Sequence, residues 1–294
     1  MRAIGFRQIN TKRALEKVLR EATDNADTHR VISVSKEGEN IVELRRYYAP
    51  KLGLAIRGYY DEHHEFVREF YYPFVESSAR MESAEVSVNR HMGRTSFAGS
   101  CDDILAGMSM IFYLQNGMDF VDYLMTGKGS YVCAPLSLVG LSSSGIILLP
   151  VNKSKEQMSS IMKASKLHKE WINAAKNGDE AAIENLTMED FDLYSQAVNR
   201  IKKEDIFTVV DSTFMPYGVE CDHYMVMGDI LEVKEIVNSE TKETIYYMML
   251  MCKDIVLNVA VNAEDLTGEP MVGRRFKGNV WLQGNISFAK ARKN

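Results

Sequence analysis

The residues that could do chemistry fall into a few short fragments. Cys221-Asp222-His223 sets a thiol and an imidazole at i and i+2, which on a strand point to one face. Both are zinc-ligand types, but a site needs three or four convergent ligands. Only Glu220 or His168 stand out as further donors. Structural zinc normally shows paired ligands in sequence, so the fragment reads more readily as a lead-in loop with a half-buried thiol and a surface histidine. His63-His64-Glu65 cannot aim both imidazoles at one site on an extended chain and reads as a polar hairpin tip. Asp102-Asp103 is one carboxylate pair without the further oxygens that a hard cation needs, hence a loop acid pair.

Two glycine-containing stretches resemble anion cradles. Gly140-Leu141-Ser142-Ser143-Ser144-Gly145 lacks the following helix and lysine of a phosphate loop. It is followed by a strand, so it is no nucleophile elbow either, and it reads as a hairpin turn. Gly127-Lys128-Gly129-Ser130 also precedes a strand rather than a helix. No catalytic set, metal set or cofactor motif emerges.

Gly273-Arg274-Arg275-Phe276-Lys277-Gly278 is the one basic cluster of the last third of the chain. On an extended strand Arg275 and Lys277 share a face, and Trp281 joins them if no bulge intervenes. A basic face with an aromatic could stack a base or hold a carboxylate. Arg275, Lys277 and Trp281 are therefore the candidate binding residues. The bland alternative has the cations paired with neighbouring acids and Trp281 filling a core. The 17 methionines, Met248 and Met249 among them, read first as core filler.

At 294 residues the chain can build two domains and a sizeable core. Its 46% hydrophobic and 26% charged content is that of a globular protein. The net charge of −5 is uneven: residues 205–294 carry 9 basic and 13 acidic side chains. Tight binding to a phosphate backbone needs clustered Lys and Arg, so the balance disfavours nucleic acid. The four cysteines are scattered, without a C-x-x-C pair, and read as reduced, mostly buried thiols of a cytoplasmic protein. No segment has the ~18–20 apolar residues of a membrane span, and Met1–Phe6 does not resemble a signal peptide.

The elements that would position these residues follow from periodicity. Thr11 caps an amphipathic helix carrying Ala14, Leu15, Val18 and Leu19. From Arg30 the period becomes two. Strands are expected at 31–34, 41–44, 54–59, 66–71, 84–89, 95–98 and 104–115, with turns at Lys36–Asn40 and His91–Arg94. A short helix over 117–124 precedes strands 131–141 and 146–151. Short connections favour antiparallel pairing. Residues 153–205 read as helices: one over 158–172 ending at Asn177-Gly178, one capped by Asp179, and one starting at Thr187 with Phe191, Tyr194, Val198 and Ile201. Then come Phe207–Val210 and Phe214–Gly218, followed by strands 224–237 (bending at Gly228), 244–252, 255–261, 273–283 and 285–288. A helical turn at 263–266 precedes the final pair. That order matches a five-stranded barrel of the oligonucleotide/oligosaccharide-binding type.

The stretch Glu204–Asp222, together with Leu266–Pro270, Gly273–Gly284 and Arg2–Phe6, resembles an uncharacterised bacterial family, a domain of unknown function of about 290 residues. The resemblance covers nearly the whole chain. It implies a bacterial cytosolic protein and carries no catalytic residues.

The expected architecture is α+β: an antiparallel domain over 1–152, a helical connector over 153–204 and an OB-like barrel module over 205–294. The functional expectation is a non-catalytic cytosolic binding or adaptor protein that meets an acidic or aromatic protein or small molecule through the barrel. One alternative is an enzyme with a site in the cleft between sheet domain and barrel. Another, single-stranded nucleic-acid binding, is opposed by charge. Exposed sheet edges leave a homodimer open.

Overall fold

The computed structural model describes residues 1–33, 40–90, 96–103, 108–150, 177–188, 212–253 and 255–288, with residues 167, 170, 171, 174, 175 and 210. The expected turns at 36–40 (except Asn40) and 91–94, most of the helix over 158–172, the stripe 191–201 and strand 207–210 (except Val210) lie outside them. So do His168 and the first residues of strand 104–115.

The described chain is mostly β, in an antiparallel sheet and a large mixed sheet. Strands β1 (Thr28–Ser33), β2 (Asn40–Ala49), β3 (Leu52–Tyr60) and β4 (Phe66–Val75) form a four-stranded antiparallel meander. The His63-His64 tip is a tight loop: the Asp61 carboxylate accepts from the His63 and Glu65 amides at 2.9 and 2.8 Å. Helix α1 (Lys12–Asp24) starts where Thr11 accepts from the Ala14 amide. Its Val18, Leu19 and Ala22 pack with Val42, Leu44 and Leu54 of the meander.

The second sheet has ten strands. They are β5 (Met81–Arg90), β6 (Phe97–Asp103), β7 (Met108–Leu114), β8 (Tyr131–Leu148), β9 (Thr213–Pro216), β10 (His223–Val237), β11 (Thr244–Cys252), β12 (Ile255–Asn262), β13 (Leu266–Thr267) and β14 (Arg275–Ile286). Helix α2 (Gly117–Met125) follows β7, and the turn Ala263–Asp265 follows β12. The sheet draws on residues 81–148 and on residues 213–286. β8 pairs parallel with β12 and antiparallel with β5 and β14. Among the described residues no helix is long and apolar enough to cross a membrane.

Two expected breaks are absent. Ser142–Gly145 is not a hairpin turn: β8 runs through it, and a register shift between Gly278 and Val280 absorbs the irregularity opposite. The Ser142 hydroxyl lies 2.7 Å from the Ser144 carbonyl oxygen and 2.8 Å from that of Asn279, which ties the bulge down. Gly145 serves packing instead, because a Cβ there would lie 2.3 Å from the Phe276 ring. The strands expected over 273–283 and 285–288 likewise merge into the single strand β14, Arg275–Ile286. At Gly228 a Cβ would meet the Met251 carbonyl oxygen at 2.4 Å, so close approach of β11 explains this glycine.

Two smaller expectations also shift. The third helix expected from Thr187 onward lies beyond residue 188, outside the described residues, but Thr187 itself is already helical. It lies inside the helix over 180–188 that Asp179 caps, and its hydroxyl donates to the Ile183 carbonyl at 2.9 Å. Among the cysteines Cys101 and Cys252 are buried while Cys133 and Cys221 are exposed, since alternation turns Cys133 outward on β8.

A buried ionic network joins the sheets. Arg57 on β3 is fully buried and donates to Glu43 of β2 at 2.5 Å, while Arg45 reaches the other oxygen of Glu43 at 2.8 Å. The Gln115 carbonyl, just past β7, accepts from Arg57, Arg45 and the Tyr72 hydroxyl at 2.7, 3.1 and 2.8 Å. The Gln115 side chain donates to the Val75 carbonyl and to Gln283 of β14, and Gln283 donates to the Pro73 carbonyl. Burial opposes ionisation of Glu43, but Arg57 and Arg45 outweigh it and hold the carboxyl below its ordinary value of 4.5.

Glu43→Gln leaves two buried guanidiniums without a carboxylate, so the variant is expected to lose about 3–5 kcal/mol at neutral pH in urea unfolding. The pH dependence has a definite sign. A depressed folded value means the ionised carboxylate stabilises fully above the unfolded value and stops contributing as pH falls through the folded one. The gap between wild type and Glu43→Gln is therefore expected to stay constant above about pH 5 and to shrink steadily below it. A gap independent of pH down to acid unfolding contradicts the ionised assignment.

Candidate functional site

The Asp222-His223 fragment and Trp281 come together through strand register. The chain turns between β9 and β10, with the Tyr217 amide donating to the His223 carbonyl at 2.9 Å. His223 opens β10 directly opposite Trp281 of β14. The Leu282 amide donates to the Asp222 carbonyl at 2.8 Å, which fixes the residue before the strand against β14.

The Asp222 carboxylate is then placed between two rings. One oxygen accepts the Trp281 indole N–H at 2.7 Å, and the other lies 3.1 Å from Nδ1 of His223. A hydrogen on Nδ1 facing this carboxylate leaves Nε2 for an outside partner. Behind Trp281 stands Tyr113, ring centroids 5.5 Å apart, and Tyr72 follows at 4.6 Å from Tyr113. The Tyr72 hydroxyl belongs to the Arg57 network, and burial raises its pKa to about 12. Trp281 is thus backed by the rigid seam between the sheets.

In front of Trp281 and His223 lies a recess of about 430 Å³, within the range of small-molecule sites. Its walls are Leu141, Ser142 and Ser143 of β8, Asn279 and Val280 of β14, and Tyr217 of the β9–β10 turn. Pro73 of β4 and Met1–Ala3 close the side toward the first sheet. Arg2 is ion-paired to Asp265, whose side chain is 5% exposed. The N-terminal turn is held by Asn238, which donates to the Ile4 carbonyl at 2.8 Å.

Trp281, alone of the three candidate binding residues, lines the recess. Its register with β10 is continuous from Arg275 to Trp281, so the three residues do share a face. They are spread along it by about 20 Å, at some 3.4 Å per residue. Arg275 is buried, and its guanidinium donates to the Leu149 and Val210 carbonyls at 3.1 and 3.3 Å. Lys277 is half-buried between them.

Among the described residues no group of three or more His, Cys, Asp or Glu could hold a metal. The Cys221-Asp222-His223 fragment matters here through its middle residue and not through the thiol. Asp222-His223 and Trp281 belong to separate sequence fragments. Nothing in their spacing, with His223 and Trp281 58 positions apart, announces that they face each other.

Asp222→Ala removes the partner of two rings. Stability is expected to fall by about 0.5–1.5 kcal/mol, the net worth of hydrogen bonds to partly exposed donors. In a Trp171→Phe background, where Trp281 is the one remaining tryptophan, its emission is expected to shift red and acrylamide quenching to rise. Unchanged quenching contradicts the pinning role of Asp222.

No curated protein and no solved structure matches the chain. A family does match, over residues 1–284, under the description "Domain of unknown function, E. rectale Gene description (DUF3881)". With nearly its whole length covered, the chain belongs to the DUF3881 family.

Proposed function

We propose that this chain is a non-catalytic binding protein whose contact site is the Trp281 recess, carried on a small β-barrel of the oligonucleotide/oligosaccharide-binding type. The observation that carries the reading is the half-exposed Trp281, pinned by Asp222 and facing a recess of small-molecule size. A pinned aromatic wall with a few polar groups is what small-ligand sites are built from. The barrel reading is supported by pairing: β10 pairs with β11, β11 with β12, β12 with β8, β8 with β14, and β14 with β10. In this reading the fifth strand is β8, contributed by the first half of the chain. The acidic balance of residues 205–294 supports a ligand other than nucleic acid.

A second reading has one specific observation in its favour. An imidazole braced by a carboxylate, as His223 is by Asp222, is the unit that general acid–base catalysis uses. The recess also lies where Pro73 of the first sheet meets β8 and β14, a seam of the kind where enzyme sites form.

The test is a thermal-shift screen of wild type and Asn279→Ala against a panel of small metabolites spanning sugars, nucleosides, amino acids and carboxylates. At least one compound is expected to raise the wild-type melting temperature by a few degrees, as ligand at ~100 times its Kd does. The shift is expected to vanish in Asn279→Ala. A silent panel, or shifts that survive the substitution, overturns the recess as the contact site. Turnover of a bound compound, lost in His223→Ala, selects the enzymatic reading.

A further inference from the structure

The charged and the neutral polar groups of the recess differ in one respect. The Arg2 guanidinium is already partnered with Asp265 and the His223 ring with Asp222, and burial pushes the Met1 α-amine at the wall down to about 6. Of the neutral ones Ser142 is likewise spent, on the Ser144 and Asn279 carbonyls, but three others are not. Among the described residues the side chains of Ser143, Tyr217 and Asn279 make no hydrogen bond, although all three line the recess. Among the described residues no carboxylate lines it.

We infer that the recess takes an uncharged, hydroxyl-bearing ring, a monosaccharide or one unit of a neutral oligosaccharide. The inference rests on the reading of the recess as a contact site and gives it a ligand class. A charged ligand would have to share Arg2 with Asp265 or the His223 ring with Asp222. A neutral ligand meets no such competition.

The three uncommitted groups suit hydroxyls in particular. Ser143 and Tyr217 each donate and accept through one oxygen, and the Asn279 amide offers an acceptor and two donors. Nε2 of His223 adds a further acceptor when the ring is neutral. A sugar ring carries hydroxyls that both donate and accept around its rim, and its C–H faces are apolar. Trp281 supplies the apolar partner for such a face. With its N–H spent on Asp222, the indole offers the recess only its carbon surface. The flat wall and the polar rim then address two different parts of one ligand.

The experiment uses the full chain with Trp171→Phe, so that Trp281 reports on its own recess. Emission is followed against glucose, galactose, maltose and cellobiose, and in separate arms against adenosine, benzoate and inorganic phosphate. The expected result is a saturable change with at least one saccharide, weakened tenfold or more by Asn279→Ala. It is expected to be unchanged between low and moderate salt, as an uncharged ligand requires. Trp281→Phe, which keeps a ring against Tyr113, is checked by calorimetry and is expected to weaken the same saccharide. Binding of adenosine, benzoate or phosphate that Asn279→Ala abolishes, with the saccharides silent, overturns the ligand class and leaves the recess standing. Saccharide binding that survives both substitutions overturns this inference and the recess together. Silence in every arm overturns the saccharide assignment.

Discussion

The pairing of Arg57 with Glu43 is the contact on which the arrangement of the two sheets depends. Neither group is stable alone in an apolar interior, where an unpaired charge costs several kcal/mol. Each is tolerable because the other is 2.5 Å away and because Arg45, Tyr72, Tyr113 and the Gln115 carbonyl complete their hydrogen bonds. That requirement is directional. Hydrophobic burial would let the meander slide over the second sheet, but Arg57 is satisfied in one register only. Gln115 and Gln283 extend the constraint to the backbone of Val75 and Pro73. A buried pair of this kind is a weak source of net stability; its role here is to select one docking geometry.

The recess inherits its shape from that docking. Pro73 reaches it from the first sheet, Ser143 and Asn279 from the second, and Met1–Ala3 from a turn held by Asn238 and Asp265. Trp281 stands against Tyr113, which also contacts Arg57. A side chain at the wall of the recess is therefore two contacts from the buried charges. Rigidity at the recess comes from the same network that locates the sheets, and a ligand meets walls that are already in place.

The long antiparallel ribbon of β8 and β14 is the second organising feature. β8 is paired with β5 over its first residues and with β12 further on. β14 is paired with β10 over most of its length and touches β7 near its end. Because both strands serve neighbours on either side, Phe276, Val280, Leu282 and Ile286 pack with Val86, Phe112 and Leu138 as well as with Val226 and Leu250 in one continuous core. Ser142 and Gly145, which look like a turn in one dimension, sit in the middle of this ribbon, where a strand bends without ending.

Local structure was legible from the residues because local forces decide it. The Thr11 and Asp179 caps, the meander over 28–75 and the alternation that puts Arg275, Lys277 and Trp281 on one face all follow from spacing and side-chain type. So does the acidic character of the last third of the chain. Partnership across distance was not legible. No periodicity says that β8 pairs with strands more than a hundred residues later, that Arg57 and Glu43 neutralise each other, or that Asp222 turns toward Trp281. Those choices are made by desolvation: a charge or a strand edge must find its complement somewhere, and only the folded chain shows which one it found.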